Sequence, residues 1–238
     1  MSQSNPSQPV CVVVGVGPGN GAAFVRRFAE EGYRVAMIAR SSGVMDALAA
    51  ELPVARPYIC DIGDAVSVES TFARITSDMG PVDALVYNAG KGVWGAADEV
   101  SLEDFETAWR TNVLGAFVAA RCVIPDMRQR GSGQILLIGA TASLRGGAKT
   151  AAFASAKAAQ RSLAQSLARQ LWPSGIHVAL VIVDGIVDEP LMRSKLADRP
   201  DEFFVKPEDI ADTLMQLVWQ RRSAWSFEVE ARPFGETW

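Results

Sequence analysis

Short apolar runs alternate along this chain with longer stretches whose apolar positions recur every three or four residues. The runs Val10–Val14, Tyr33–Ala39, Val54–Cys60, Val82–Tyr87, Gly133–Gly139 and Ile176–Val183 read as strands, and Ser226–Ala231 as a seventh. Pro57 makes the third run the least regular. Between them, helices are expected over Gly19–Glu31, Val44–Leu52, a segment capped by Asp64 and running to Met79, and Leu102 to about Arg128 with Pro125 near its end. A long alanine-rich helix over Thr150–Trp172 is stopped by Pro173 and Gly175. The last runs from Pro207 through Arg222, with proline and acids at its start, where a helix favours them.

Strands that are apolar on both faces and separated by helices belong to a parallel sheet covered on both sides. Right-handed crossovers make that a doubly wound fold whose ligand crevice lies at the carboxyl ends of the strands. The expectation is therefore one α/β domain of Rossmann type over residues 10–238, with about seven parallel strands and helices on both faces. Residues 1–9 are short, polar and expected to fray. Asp184–Lys206 is the one long irregular stretch. Charged and proline-marked, it reads as a lid or binding loop.

Composition adds exclusions. A net charge of −4 gives no footprint for nucleic acid or an anionic membrane surface. No apolar run reaches the roughly 18 residues of a membrane span. One histidine, His177, excludes a histidine-rich metal site, and its place at the start of a strand marks it as structural. Cys11, Cys60 and Cys122 sit among apolar neighbours and read as buried free thiols. The expectation is a cytoplasmic protein acting on a small molecule, without metal, nucleic acid or membrane.

The chemistry-bearing stretch is Val14-Gly15-Val16-Gly17-Pro18-Gly19-Asn20-Gly21, where the first strand turns into the first helix. Glycines there let backbone N–H groups approach a diphosphate, and the helix N-terminus adds favourable partial charge. Two registers fit: Gly17-x-Gly19-x-x-Ala22, the general dinucleotide fingerprint, and Gly15-x-x-x-Gly19-x-Gly21. No carboxylate follows the second strand, where a fold that prefers NAD carries an acid for the ribose 2′-hydroxyl. Arg40 stands there instead and could pair with a 2′-phosphate, so NADP(H) is favoured over NAD(H).

Taken in order, these features resemble the short-chain dehydrogenase/reductase family along nearly the whole chain. Gly15, Gly19 and Gly21 match its cofactor loop, Asp61 its adenine-binding acid, and Asn88-Ala89-Gly90 its Asn-Ala-Gly motif. Asn112 matches the asparagine that holds a water beside the catalytic lysine. Lys157 matches the lysine of Tyr-x-x-x-Lys, and Gly185 and Val187 fall where the family contacts the nicotinamide carboxamide. The resemblance implies an oxidoreductase that binds a nicotinamide cofactor. It also implies a homodimer or homotetramer, since the family commonly pairs through its fifth long helix.

The departures bear on the chemistry. In the family, a serine and the tyrosine of that motif position and protonate the substrate oxygen. Phe153 and Ala140 occupy those two stations here, and neither has a proton to give. Asp184 replaces a proline and Glu189 a threonine. Tyr87, Thr141, Asp188 and Glu189 are the alternative donors, and Lys91, Trp94, Arg145 and Lys149 could shape a substrate pocket. Two functions follow from this pattern. One is an NADP(H)-dependent oxidoreductase with a non-standard proton source, in which Lys157 and Asn112 are the catalytic residues that remain. The other is an NADP(H)-binding protein without redox turnover.

Overall fold

The structure, a computed structural model, describes residues 8–235. Most of the expected frayed segment, residues 1–7, lies outside them, as do residues 236–238. Gln8 and Pro9 are tied down: the Pro9 carbonyl accepts the Arg34 N–H at 2.9 Å.

Among the described residues nine strands form: β1 (Val10–Val14), β2 (Arg34–Ala39), β3 (Ala55–Ile59), β4 (Ala84–Tyr87), β5 (Gly133–Ala140), β6 (Ile176–Val183), β7 (Ile186–Val187), β8 (Phe204–Val205) and β9 (Glu228–Ala231). Seven of them make one sheet in the order β3-β2-β1-β4-β5-β6-β9, every pair parallel. The helices are α1 (Asn20–Glu30), α2 (Gly43–Glu51), α3 (Ala65–Met79), α4 (Leu102–Trp109), α5 (Gly115–Arg130), α6 (Ala151–Leu171), α7 (Pro190–Lys195) and α8 (Pro207–Val218). This is the doubly wound domain read from the apolar pattern.

Side chains alternate across each strand, so one sheet builds two cores. Val10, Val12 and Val14 face α3, α5 and α6 through Phe72, Ile75, Val118, Met127, Leu167 and Leu171. Cys11 and Val13 face α1, α2 and α8 through Phe24, Phe28, Leu48, Ile210 and Leu214. Each fully buried large side chain contributes roughly 1.5–3 kcal/mol. Pro57 is accommodated because β3 is an edge strand, where a missing N–H breaks no inner ladder. The Asp64 carboxylate caps α3 by accepting the Val66 N–H. No helix among the described residues is long and apolar enough to cross a membrane.

Three boundaries differ from the expectation. The helix expected from Leu102 is interrupted by a π-helical turn over Arg110–Leu114, then continues past Pro125 to Arg130, where Gly131 caps it at φ +62°. The last helix ends at Val218, not Arg222. Gln220 fixes the turn back by holding Ser226 with both ends of its amide, at 2.9 and 2.7 Å. The third concerns residues 184–206, which are not irregular. There β7 pairs with β8, α7 lies between them, and a 3-10 turn spans Asp201–Phe203. Arg193 holds the segment together, forked onto Asp188 at 2.6 Å, bonded to Asp201 at 2.7 Å and stacked on Phe204 at 4.1 Å.

Candidate active site

The chain winds from β1 outward to β2 and β3, then returns to place β4 on the other side of β1. The connections leaving β1 and β4 therefore part at their carboxyl ends, which opens a crevice in this kind of sheet. A cavity of about 670 Å³ lies there, running from Arg40 and Asp61 across the glycine loop to Gly90 and Lys91.

The geometry of the loop decides between its two registers. Gly15 has φ +90°, and a Cβ on it would stand 2.5 Å from the Ala89 backbone N. A Cβ on Gly21 would stand 2.6 Å from the Gly15 carbonyl oxygen, while Gly17 has no atom within 4 Å of that position. Gly15 and Gly21 must be glycine and Gly17 need not be, which is the Gly15-x-x-x-Gly19-x-Gly21 spacing. Two backbone bonds to the Ile38 carbonyl pin the loop from one side. From the other, Asn88 donates its side-chain amide to the Gly15 carbonyl at 2.7 Å and its backbone N–H to Val14 at 2.9 Å.

The backbone N–H groups of Gly19, Asn20 and Gly21 have no protein acceptor among the described residues. Gly19 caps α1 with no side-chain bond, and no acid lies in the first turn. Free donors, positive helix-end charge and space cleared by glycine fit the diphosphate of a dinucleotide. At the end of the cavity beside β2 and β3, Arg40 is exposed with no ion-pair partner among the described residues, and Asp61 accepts the Gly63 N–H at 3.0 Å.

At the other end, Gly90 touches two buried polar groups. A Cβ there would lie 3.3 Å from Asn112 Oδ1 and 3.7 Å from Lys157 Nζ. Asn112 sits in the π-helical turn, a local widening common at functional sites. Its amide donates to the Lys91 and Ala108 carbonyls at 3.0 and 2.9 Å, leaving Oδ1 without a partner. Lys157 donates to the Ile138 carbonyl at 2.9 Å and to Gln160 Oε1 at 3.1 Å. Burial lowers its pKa to about 8. Gln160 escaped the sequence reading, although its place one turn along the lysine's own helix was the available signal.

Ala140 ends β5, and the Phe153 ring packs against Trp94 with centroids 5.2 Å apart. Trp94, 68% exposed, is brought there by the pairing of Gly95 with Thr150. Three of the four alternative donors are committed elsewhere, and the fourth, Glu189, lines the crevice with no ion pair among the described residues. Tyr87 is buried and donates to the Thr111 carbonyl at 2.5 Å, and burial holds its pKa far above the ordinary tyrosine value. Asp188 is forked by Arg193, which lowers its carboxyl pKa. Thr141 donates to Asp184, itself ion-paired with Arg232 at 2.5 Å.

Other candidates are placed as follows. Lys91 lines the crevice, whereas Arg145 and Lys149 are exposed on the loop beyond it. Val187 and Glu189 form its far wall. Gly185 is packed, since a Cβ there would lie 2.7 Å from Val205. His177 is distant, stacked on Trp225 at 4.7 Å with Nε2 against the Ser226 carbonyl.

A parallel doubly wound sheet with a glycine-lined anion cradle at its switch point defines a dinucleotide-binding protein. Comparison with known proteins narrows this. The sequence profile of the short chain dehydrogenase family matches residues 9–200, and the chain belongs to that family. A rat relative, a 3-oxoacyl-[acyl-carrier-protein] reductase, is 32% identical over 72% of this chain and 73% of its own. The crystal structure of a short-chain dehydrogenase from Rhodopseudomonas palustris is similar with a TM-score of 0.82 and 32% identity, covering 95% of this chain and 99% of that one. A metagenomic short-chain oxidoreductase, solved in complex with NADP, is similar with a TM-score of 0.83 and 25% identity, over 98% and 100% of the two chains. The protein is an NAD(P)-dependent oxidoreductase.

Proposed function

We propose that this protein is an NADP(H)-dependent reductase for substrates that need no proton from a side chain at the reacting atom, of which a cyclic iminium is the simplest class. One observation carries the reading. Ala140 and Phe153 hold the two proton-handling stations, Tyr87, Thr141 and Asp188 have their polar groups engaged elsewhere, and Glu189 lies against Gly19 of the glycine loop. A bound nicotinamide supplies the hydride. The glycine loop, Asn88 and Lys157 hold and orient the nucleotide, with Gly185 and Val187 at its carboxamide end, and Asn112 braces the floor beneath it. Reducing a ketone leaves an alkoxide that must be stabilised or protonated as it forms. An iminium becomes a neutral amine on hydride addition and makes no such demand.

Support for NADP(H) over NAD(H) comes from Arg40, a cation with no ion-pair partner among the described residues at the adenosine end of the crevice, and from the lack of a carboxylate directly after β2. A structural neighbour was solved with NADP. We place the protein in the cytoplasm as a homodimer or homotetramer. Phe105, Trp109, Leu114 and Phe117 form an exposed apolar stripe along α4 and α5, the kind of patch that marks an interface. Steady-state NADPH oxidation by the wild-type protein tests the reading. Turnover with a cyclic iminium and little with a matched ketone is expected. Brisk ketone reduction overturns it, and binding without turnover across carbonyls, imines and activated alkenes favours a non-redox nucleotide-binding role.

A further inference from the structure

Glu189 stands where the lid crosses the glycine loop. Its Oε2 and Cβ lie 3.2 and 3.4 Å from the position a Cβ on Gly19 would take, and Val187 Cγ1 lies 3.7 Å from it. Lining the same cavity are Gly19, Asn20 and Gly21, whose N–H groups have no protein acceptor among the described residues and no capping side chain. The Glu189 carboxylate has no ion pair among the described residues. Arg193, the cation nearest it in sequence, is committed to Asp188 and Asp201. An unpaired carboxylate thus lies against Gly19 in the cavity lined by free donors at the N-terminus of α1, where a diphosphate would also sit.

We propose that Glu189 is an internal anion that gates the cofactor cradle: in the nucleotide-free protein it shares the field of the α1 N-terminus, and a diphosphate must displace it. This rests on the NADP(H) reading of the site. Two like charges cannot share one anion cradle without strong repulsion, so one leaves when the other arrives. Glu189 is also the N-cap of α7, and its carbonyl accepts the Arg193 N–H at 2.9 Å. Displacing it therefore carries α7, and Asp188 with it through the Arg193 fork. Nucleotide binding and lid movement become one event. The affinity of the empty cradle is set by a residue of the lid, not of the loop.

A carboxylate at a helix N-terminus stabilises by amounts that correspond to roughly a two- to thirty-fold change in a competing equilibrium. Calorimetric titration of wild type, Glu189→Gln and Glu189→Ala with NADP⁺ and with adenosine 2′-monophosphate reads this directly. The second ligand carries the adenosine and the 2′-phosphate but no diphosphate. Both variants are expected to bind NADP⁺ about two- to thirty-fold more tightly than wild type, with adenosine 2′-monophosphate unchanged. Hydrogen exchange of α7 in nucleotide-free Glu189→Gln is expected to be faster than in wild type. Unchanged or weaker NADP⁺ binding by both variants overturns the gate, and so does equal tightening of both ligands. A wild-type protein that binds neither ligand overturns the cofactor reading itself. That result is distinct from a wild type that binds NADP⁺ with variants that bind it no better.

Discussion

Replacing Gly15 by alanine tests how the glycine loop is built. At φ +90° an L side chain is strained by about 1–3 kcal/mol. The new Cβ would also fall 2.5 Å from the Ala89 N and 2.6 Å from its Cα. Those are backbone atoms, and Asn88 next to them is bonded to both Gly15 and Val14, so the collision cannot be relieved by a rotamer change. Overpacking of this kind adds about 1–3 kcal/mol. Together the cost is about 2–6 kcal/mol, a large share of the roughly 5–15 kcal/mol that holds a domain folded. Gly21→Ala meets only the second problem and should cost about 1–3 kcal/mol. Gly17→Ala meets neither, and by restricting the unfolded chain it should be neutral or stabilising by up to about 1 kcal/mol. Urea unfolding gives the three stabilities, and NADP⁺ titration shows whether the loop still binds. If Gly17→Ala destabilised as much as Gly15→Ala, or Gly15→Ala matched wild type, the assigned register would be wrong.

Arg40→Ala should weaken NADP⁺ binding by one to two orders of magnitude, from a lost charge-assisted contact of roughly 1.5–3 kcal/mol. NAD⁺ binding should barely change, and equal wild-type titration curves for the two nucleotides would remove the basis for the preference. Lys157 gives a pH signature. With its pKa lowered to about 8 by burial, it is charged below that value and neutral above it in the free protein. The proposed contact between the charged lysine and nucleotide oxygens would raise its pKa in the complex, so NADP⁺ affinity should hold up to about pH 8 and then fall as pH rises. Lys157→Met should bind more weakly at neutral pH and show no such fall. A pH-independent wild-type affinity from about pH 7 to about pH 10 would place the lysine away from the nucleotide.

The sheet was legible because its inner strands are buried on both faces and read as nearly unbroken apolar runs, Val10–Val14 and, but for His177, Ile176–Val183 most clearly. The geometry of the glycine loop was legible because it is local, within one strand-turn-helix unit. What escaped is non-local or too short for periodicity. The two-residue strands β7 and β8 leave no alternating pattern, and they are fixed by Arg193 gathering Asp188, Asp201 and Phe204. The π-helical turn at Asn112 leaves the helical apolar spacing nearly intact, so α4 and α5 read as one helix. The approach of Glu189 to Gly19 depends on how residues 184–206 pack across the crevice, which no sequence window spans. The commitment of Thr141 to Asp184 is likewise a contact between the ends of two adjacent strands.

The central claim is that Ala140 and Phe153 leave the substrate atom without a proton donor. The most direct test is steady-state NADPH oxidation with a ketone and a cyclic iminium on wild type, Ala140→Ser, Phe153→Tyr and the double variant. General acid assistance is worth about 10²–10⁴-fold and one oxyanion donor about 10²–10³-fold. The double variant should therefore gain ketone reduction by at least about 10²-fold over wild type. Each single variant should gain far less, because such groups act as a unit. Iminium reduction should be nearly the same in all four proteins. Rapid ketone turnover by wild type, or a double variant no faster than wild type with NADPH binding intact, would contradict the account.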